Sequence, residues 1–157
     1  MDARNAFGSP SHNVILETIF NLWDNVSFSW FQQFLSDRTF YVQINDKRSS
    51  IRKLPDRGLP QGSGCGPLLW NTVFNPILEN IEKTLSNNLC IAYADDLALS
   101  LHGDNEEDML NNVQHTMEVI DAQLDTIDVQ RAPNKTIGFC VGKWSAENVK
   151  LDRKSVV

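Results

Sequence analysis

The sequence predicts an α+β fold in which helices pack on one side of an antiparallel sheet, and two observations carry that prediction. The apolar residues switch along the chain between helical spacing and strict alternation. The resulting order is two helices, a hairpin, a shaped loop, a helix, a second hairpin, a helix and a strand, a layered arrangement typical of that class.

Ser11 or Asn13 can cap the first helix, whose apolar residues Val14, Ile15, Ile19, Phe20, Leu22 and Trp23 recur at helical spacing. A second helix near residues 26–35 should bury Trp30, Phe31, Phe34 and Leu35. Phe40, Val42 and Ile44 then alternate with polar residues. After a turn over residues 45–50 the chain returns through Ile51 and Leu54, which predicts a β-hairpin. The stretch DRGLPQGSGCGP, residues 56–67, holds four glycines and two prolines, a density no regular element tolerates, so it is a shaped loop.

Pro67 suits the first position of the next helix, whose apolar face runs from Leu68 and Leu69 to Ile81 and Leu85, with Pro76 expected to kink it. Residues 90–94 and 97–101 are short β-compatible segments, which puts Asp95 and Asp96 at a hairpin tip. Asp104 and Glu107 form a capping pair ahead of a helix carrying Met109, Leu110, Val113, Met117, Ile120, Leu124 and Ile127. A turn over residues 131–134 and a strand over residues 136–141 complete the order.

With 157 residues, 41% of them hydrophobic, the chain can bury one sizeable core, and residues 1–157 read as one domain without repeat or linker. No apolar run approaches the ~20 residues of a bilayer span. The opening MDARNAFGS lacks the basic and apolar regions of a secretory signal, so no membrane association and an intracellular place, nucleus or cytoplasm, are expected. Cys65, Cys90 and Cys140 are odd in number and lack ligand spacing, which indicates reduced thiols rather than a disulfide framework or a zinc site. His12, His102 and His115 show neither metal nor triad spacing.

The formal charge of −6 is unevenly spread. Residues 79–128 hold twelve acids and one base, against eight acids and thirteen bases in the rest. Arg38, Lys47, Arg48, Arg52, Lys53 and Arg57 fall in one segment that could meet a phosphate backbone, or could be the ordinary surface charge of a hairpin.

The stretch IAYADDLAL, residues 91–99, sets two adjacent carboxylates in an apolar run. Two like charges side by side ask for a cation, unless the turn is simply solvated. Two further features bear on that choice. Asp2 stands in DARNAF, five positions before Phe7, and the loop GLPQGSGCGP allows close backbone approach to a ligand with Gln61 at the same place.

Four motifs in order, Asp2-x-x-x-Ala6-Phe7, Leu59-Pro60-Gln61-Gly62-Ser63 with Gly66-Pro67-Leu68-Leu69, Tyr93-Ala94-Asp95-Asp96 and Asn134-Lys135-Thr136, resemble the palm motifs of reverse transcriptases. The match is nearest to those of non-LTR, LINE-like retrotransposons and runs from residue 1 to about residue 142. The resemblance implies a partial polymerase palm with a piece of the fingers, and RNA-directed DNA polymerase chemistry on an RNA template, a DNA primer and dNTPs. Asp2, Asp95 and Asp96 would hold two Mg²⁺ ions, with Mn²⁺ as a substitute, and Lys135 would protonate or steady the leaving pyrophosphate. Gln61, Gly62 and Ser63 would line the nucleotide. Phe7 would stack beneath the incoming sugar and exclude a 2′-hydroxyl, where the motif-free reading is a core phenylalanine.

Where family members usually carry a second Asp after the aromatic, this chain has Gly8. By the same resemblance the N-terminal fingers and the C-terminal thumb are missing, the strand that should deliver Asp2 is absent, and the chain alone is expected to be an inactive palm fragment. The competing reading is a non-enzymatic retroelement remnant that at most binds RNA or a protein partner. A palm-type nucleotide cyclase fits poorly, because it has no place for the Leu-Pro-Gln-Gly loop.

Overall fold

The computed structural model describes residues 3–85, 89–132 and 135–138. In chain order these form β1 (Ala3–Arg4), a 3₁₀ turn (Ala6–Gly8), α1 (His12–Leu22), α2 (Asn25–Leu35), β2 (Thr39–Phe40), β3 (Gln43–Ile44), β4 (Lys47–Arg48) and β5 (Arg52–Lys53). Then follow α3 (Gly66–Thr84), β6 (Leu89–Tyr93), β7 (Asp96–Ser100), α4 (Glu106–Asp125) and β8 (Gln130–Arg131). Helices and antiparallel strands match the α+β class, and the described strands pair as four two-stranded ribbons. No helix among the described residues is long and apolar enough to cross a membrane.

The chain divides into two compact units, residues 7–73 and residues 1–6 with 74–157. In the first, Ser11 caps α1 by accepting the Val14 N–H, as its sequence position predicts. Asp24 caps α2 by accepting the N–H groups of Val26 and Ser27 on one oxygen. Ile15, Ile19, Phe31, Leu35, Leu69, Trp70 and Val73 are buried. Trp30, expected inside, is 51% exposed. It lies on the outer side of α2 and stacks on Phe34, with ring centroids 5.2 Å apart and planes within 12°.

The basic segment is a bent ribbon. The turn is shorter than the sequence suggested, because Ile44 pairs directly with Lys47 across the two residues Asn45 and Asp46. Asn45 takes a φ of 53°, a left-handed value that asparagine tolerates. Thr39 opposite Lys53 and Gln43 opposite Arg48 differ by one residue in register, so the return strand carries one extra residue between the pairs. Ser49 fills that bulge, its hydroxyl accepting the Val42 N–H and its own N–H bonding the Val42 carbonyl.

In the second unit Phe74, Ile77, Ile81, Leu97, Met117, Ile120, Leu124, Ile127 and Val129 are buried. Pro76 lies inside α3, which continues past it to Thr84. The α4 cap is Asn105, one residue after the position the sequence indicated. Its side chain accepts the Asp108 N–H while the Asp108 carboxylate accepts the Asp104 N–H. Arg131, expected in a turn, belongs to β8. Residues 136–138 are not in a strand, and the rest of the strand predicted to residue 141 lies outside the described residues.

Candidate active site

Five cross-strand pairs align the β6–β7 ribbon, from Leu89 opposite Ser100 to Tyr93 opposite Asp96. They leave Ala94 and Asp95 as a two-residue turn, so the tip falls one residue earlier than the sequence reading placed it, and Asp96 opens β7. Successive side chains alternate across a strand. Leu97 is buried while Tyr93 and Asp96 are exposed, and Asp95 is half-buried in the turn. The two adjacent acids thus have different surroundings. Ala94 enters the turn with a φ of 53°, which costs a residue with a Cβ ~1–2 kcal/mol. Strain of this kind concentrates where a backbone must aim a functional group.

Asp2 lies outside the described residues, but the chain directly after it is anchored: Ala3 pairs with Arg131 and Arg4 with Gln130. Arg131 is buried because Asp121 on α4 receives its guanidinium edge-on, with Nε donating to Oδ1 at 3.0 Å and Nη2 to Oδ2 at 3.1 Å. Lys135 is exposed, and its backbone N–H donates to the Ala132 carbonyl. On β6, burial and then the nearby Glu82 charge push the Cys90 thiol up from its ordinary value, which keeps it protonated and inert. Cys65 and Cys90 are free thiols, and Cys140 lies outside the described residues.

Among the described residues no three His, Cys, Asp or Glu side chains gather into a metal cage. Asp95 and Asp96 offer oxygen donors alone, a set that fits Mg²⁺, since that ion takes one or two carboxylates and fills its remaining positions with water and phosphate.

In residues 7–73 the predicted gate and the predicted nucleotide loop come together. Phe7 lies in the 3₁₀ turn, and its carbonyl accepts the Leu59 N–H. The Gly58 N–H donates to the Pro10 carbonyl at 2.8 Å, and the His12 N–H to the Asp56 carbonyl at 3.1 Å. His12 is buried with Nε2 3.1 Å from the Gly58 oxygen, a bond across 46 residues of sequence. Nothing in the residues beside His12 signals that partner. Gly58 takes a φ of 84°, and a Cβ there would come within 3.2 Å of the Gly8 backbone, so glycine lets the two segments close without backbone strain or displacement.

Beyond Gly58 the loop folds on itself. The Ser63 hydroxyl donates to the Pro60 carbonyl at 2.8 Å and is therefore spent within the turn. Gly62 has a φ of 80°, and Gln61 and Gly62 are exposed, available to a ligand.

The Phe7 ring stacks on Trp70, with centroids 5.7 Å apart and planes 24° from parallel. Trp70 was not among the residues singled out from sequence, because 63 positions separate the two rings. Of the ribbon bases, Arg48 lies with its guanidinium 4.9 Å from the Tyr41 ring centre and donates to the Gln43 side chain, while Arg38 lies 6.0 Å from the Phe34 ring. Lys53 faces Asp37 and Asp56 at 3.8 and 3.7 Å, and Lys47, Arg52 and Arg57 are exposed.

Residues 1–151 match the family model described as reverse transcriptase (RNA-dependent DNA polymerase). The chain is 30% identical over 95 residues to the retrovirus-related Pol polyprotein from type-1 retrotransposable element R1 of Nasonia vitripennis, covering 60% of this chain and 28% of that protein. It is 30% identical over 105 residues to the RNA-directed DNA polymerase from mobile element jockey of Drosophila melanogaster, 63% of this chain and 11% of the relative. Over 143 residues it is 26% identical to the probable RNA-directed DNA polymerase from transposon BS of Drosophila melanogaster, 89% of this chain and 16% of the relative. The chain therefore spans less than a third of the length of each of these relatives.

Proposed function

The chain belongs to the reverse transcriptase family, and from that membership we propose that it is the palm part of a non-LTR retrotransposon RNA-directed DNA polymerase, with its palm motifs spread over residues 1–142. The family match along nearly the whole chain, with an acid at the turn of the β6–β7 ribbon, is the observation that carries the reading.

The reaction extends a DNA primer on an RNA template. The primer 3′-oxygen attacks the α-phosphate of a dNTP, a new P–O bond forms, and the bond to pyrophosphate breaks. Asp2, Asp95 and Asp96 would hold Mg²⁺ or Mn²⁺ through carboxylate oxygens, and the chemistry supplied there is neutralisation of charge on the attacking and leaving oxygens. Gln61 and the Gly62–Ser63 backbone bind the nucleotide, and exposure of Gln61 and Gly62 supports that role. Phe7 selects the deoxy sugar by collision with a 2′-hydroxyl. Lys135 gives its proton to, or steadies, the leaving pyrophosphate, and its exposure supports that role. The bases of the residue 38–57 ribbon hold the nucleic-acid backbone.

Primer extension on an RNA template with Mg²⁺ tests the reading. Asp95→Asn should lower dNTP incorporation by about 10³-fold or more, the effect of removing several kcal/mol of charge stabilisation. Incorporation that ignores this change overturns the mechanism. RNA binding without any incorporation, preserved in Asp95→Asn, favours the non-enzymatic remnant.

A further inference from the structure

We propose that Trp70 is a positioning residue for sugar selection, holding the Phe7 ring where a 2′-hydroxyl must strike it; the inference rests on the gate role given to Phe7 above. A gate that works by collision fails if its ring can swing aside, and a phenylalanine has three staggered χ1 wells available. Selectivity therefore depends on what blocks the escape.

Three observations show Phe7 being blocked. Its ring lies stacked on the indole of Trp70, itself only 1% exposed on α3 and so unable to retreat. Its carbonyl is tied to the Leu59 N–H, which fixes the backbone from which the ring projects. The far edge of the ring points toward Gly66, close enough that a Cβ added there would sit in van der Waals contact with Phe7 Cε1 at 3.8 Å and 3.2 Å from the Pro60 carbonyl oxygen. Phe7 nevertheless remains half-buried rather than fully enclosed, as a residue must be if it backs onto a core and still meets a ligand. The Leu-Pro-Gln-Gly loop and the gate are thus one assembly, and Trp70 is the wall behind it.

The test uses the full chain in Trp70→Met, which fills volume without presenting a ring plane, and Trp70→Phe, which restores one. Calorimetric titration with dUTP and with UTP, which differ only at the 2′ position, in Mg²⁺ gives the ratio of affinities on one sample, and a general loss of stability leaves that ratio alone. Trp70→Met should lower the ratio about tenfold, equivalent to ~1.4 kcal/mol, and Trp70→Phe should hold it within about threefold. The double variant Phe7→Val with Trp70→Met should be no less selective than Phe7→Val alone, because the wall acts only through the ring.

In parallel, chain labelled with 4-fluorophenylalanine, with Phe7 identified by loss of its signal in Phe7→Val, reports ring exposure through the H₂O/D₂O isotope shift. That shift should rise in Trp70→Met and not in Trp70→Phe. A ratio and an isotope shift both unchanged in Trp70→Met overturn the proposal. If the wild-type chain discriminates against UTP no more than Phe7→Val does, or binds neither nucleotide, the gate reading fails at Phe7. The isotope shift then decides by itself whether Trp70 holds the ring. Should Trp70→Met not fold, a loss of the ratio beyond threefold in folded Trp70→Phe overturns the stacking account.

Discussion

Arg131 and Asp121 meet edge to edge, Nε and Nη2 of the one donating to the two carboxylate oxygens of the other, with the Arg131 side chain only 2% exposed. The pair spans the joint between α4 and β8, and β8 in turn holds β1. Removing one partner of a buried pair strands the other charge and costs about 3–5 kcal/mol. Arg131→Met should therefore lower the unfolding free energy by roughly 3 kcal/mol, the low end of that range, because Asp121 keeps some contact with water. Arg131→Met with Asp121→Leu should recover part of the loss, since this buried ion pair is then removed whole. Urea titration of the two variants checks this, and equal destabilisation in both would show that the pair matters for shape rather than charge.

What the sequence made legible follows from the range over which each signal acts. Ser11 as a cap and the helical spacing of Ile15 and Ile19 are local, and both hold in the structure. The four motifs are each local, and their order along the chain points to one family. Local pattern misjudged Trp30, because apolar spacing marks a face without saying how much of it a small unit can cover. It put the β6–β7 turn one residue late, because alanine is a poor candidate for left-handed backbone and Ala94 adopts it all the same. It could not find His12 with Gly58, Phe7 with Trp70, or Arg131 in a strand, since each depends on a partner brought from a distant part of the chain or on tertiary pairing.

The φ of 53° at Ala94 makes a second prediction. Glycine removes the steric cost of that conformation and adds back part of it as lost chain entropy. Ala94→Gly should leave the protein more stable by about 0.5–1 kcal/mol, while Ala94→Val, with a branched Cβ, should lose more than ~1 kcal/mol. Thermal unfolding of the two variants measures both. A stabilising valine would show that the turn does not require left-handed backbone at residue 94.

Asp24 supplies a pH dependence. The N–H and hydroxyl of Ser27, and then the N–H of Val26, hold its carboxyl below the ordinary 3.8. A depressed folded value means that the cap's contribution is complete above the unfolded value of about 3.8 and is lost as pH falls through the lower folded one. The first turn of α2 should therefore loosen on acidification below about pH 4, seen as faster exchange of the Val26 and Ser27 amides once the intrinsic pH dependence of exchange is subtracted. Asp24→Asn keeps an acceptor for the cap and cannot titrate, so its exchange should show no such step.

In the proposed nucleic-acid contact the ribbon bases should differ in what they give to binding, because their surroundings differ. Each cation that displaces a counterion from single-stranded RNA contributes about 0.7 to the slope of log affinity against log salt. Arg52 and Lys47 are exposed, and their full charge faces outward, so replacing either with alanine should reduce that slope by roughly 0.7. Lys53 already faces Asp37 and Asp56, so its loss should change the slope by less than half as much. Arg48 is different again: its guanidinium carbon lies over the exposed Tyr41 ring. Arg48→Lys keeps the charge and gives up the planar group over the ring, so affinity should fall several-fold at every salt concentration with the slope unchanged. Filter binding of a single-stranded RNA from 50 to 300 mM salt separates these cases. A Lys53→Ala slope that changes as much as Arg52→Ala would mean that the two aspartates do not hold that charge once RNA arrives.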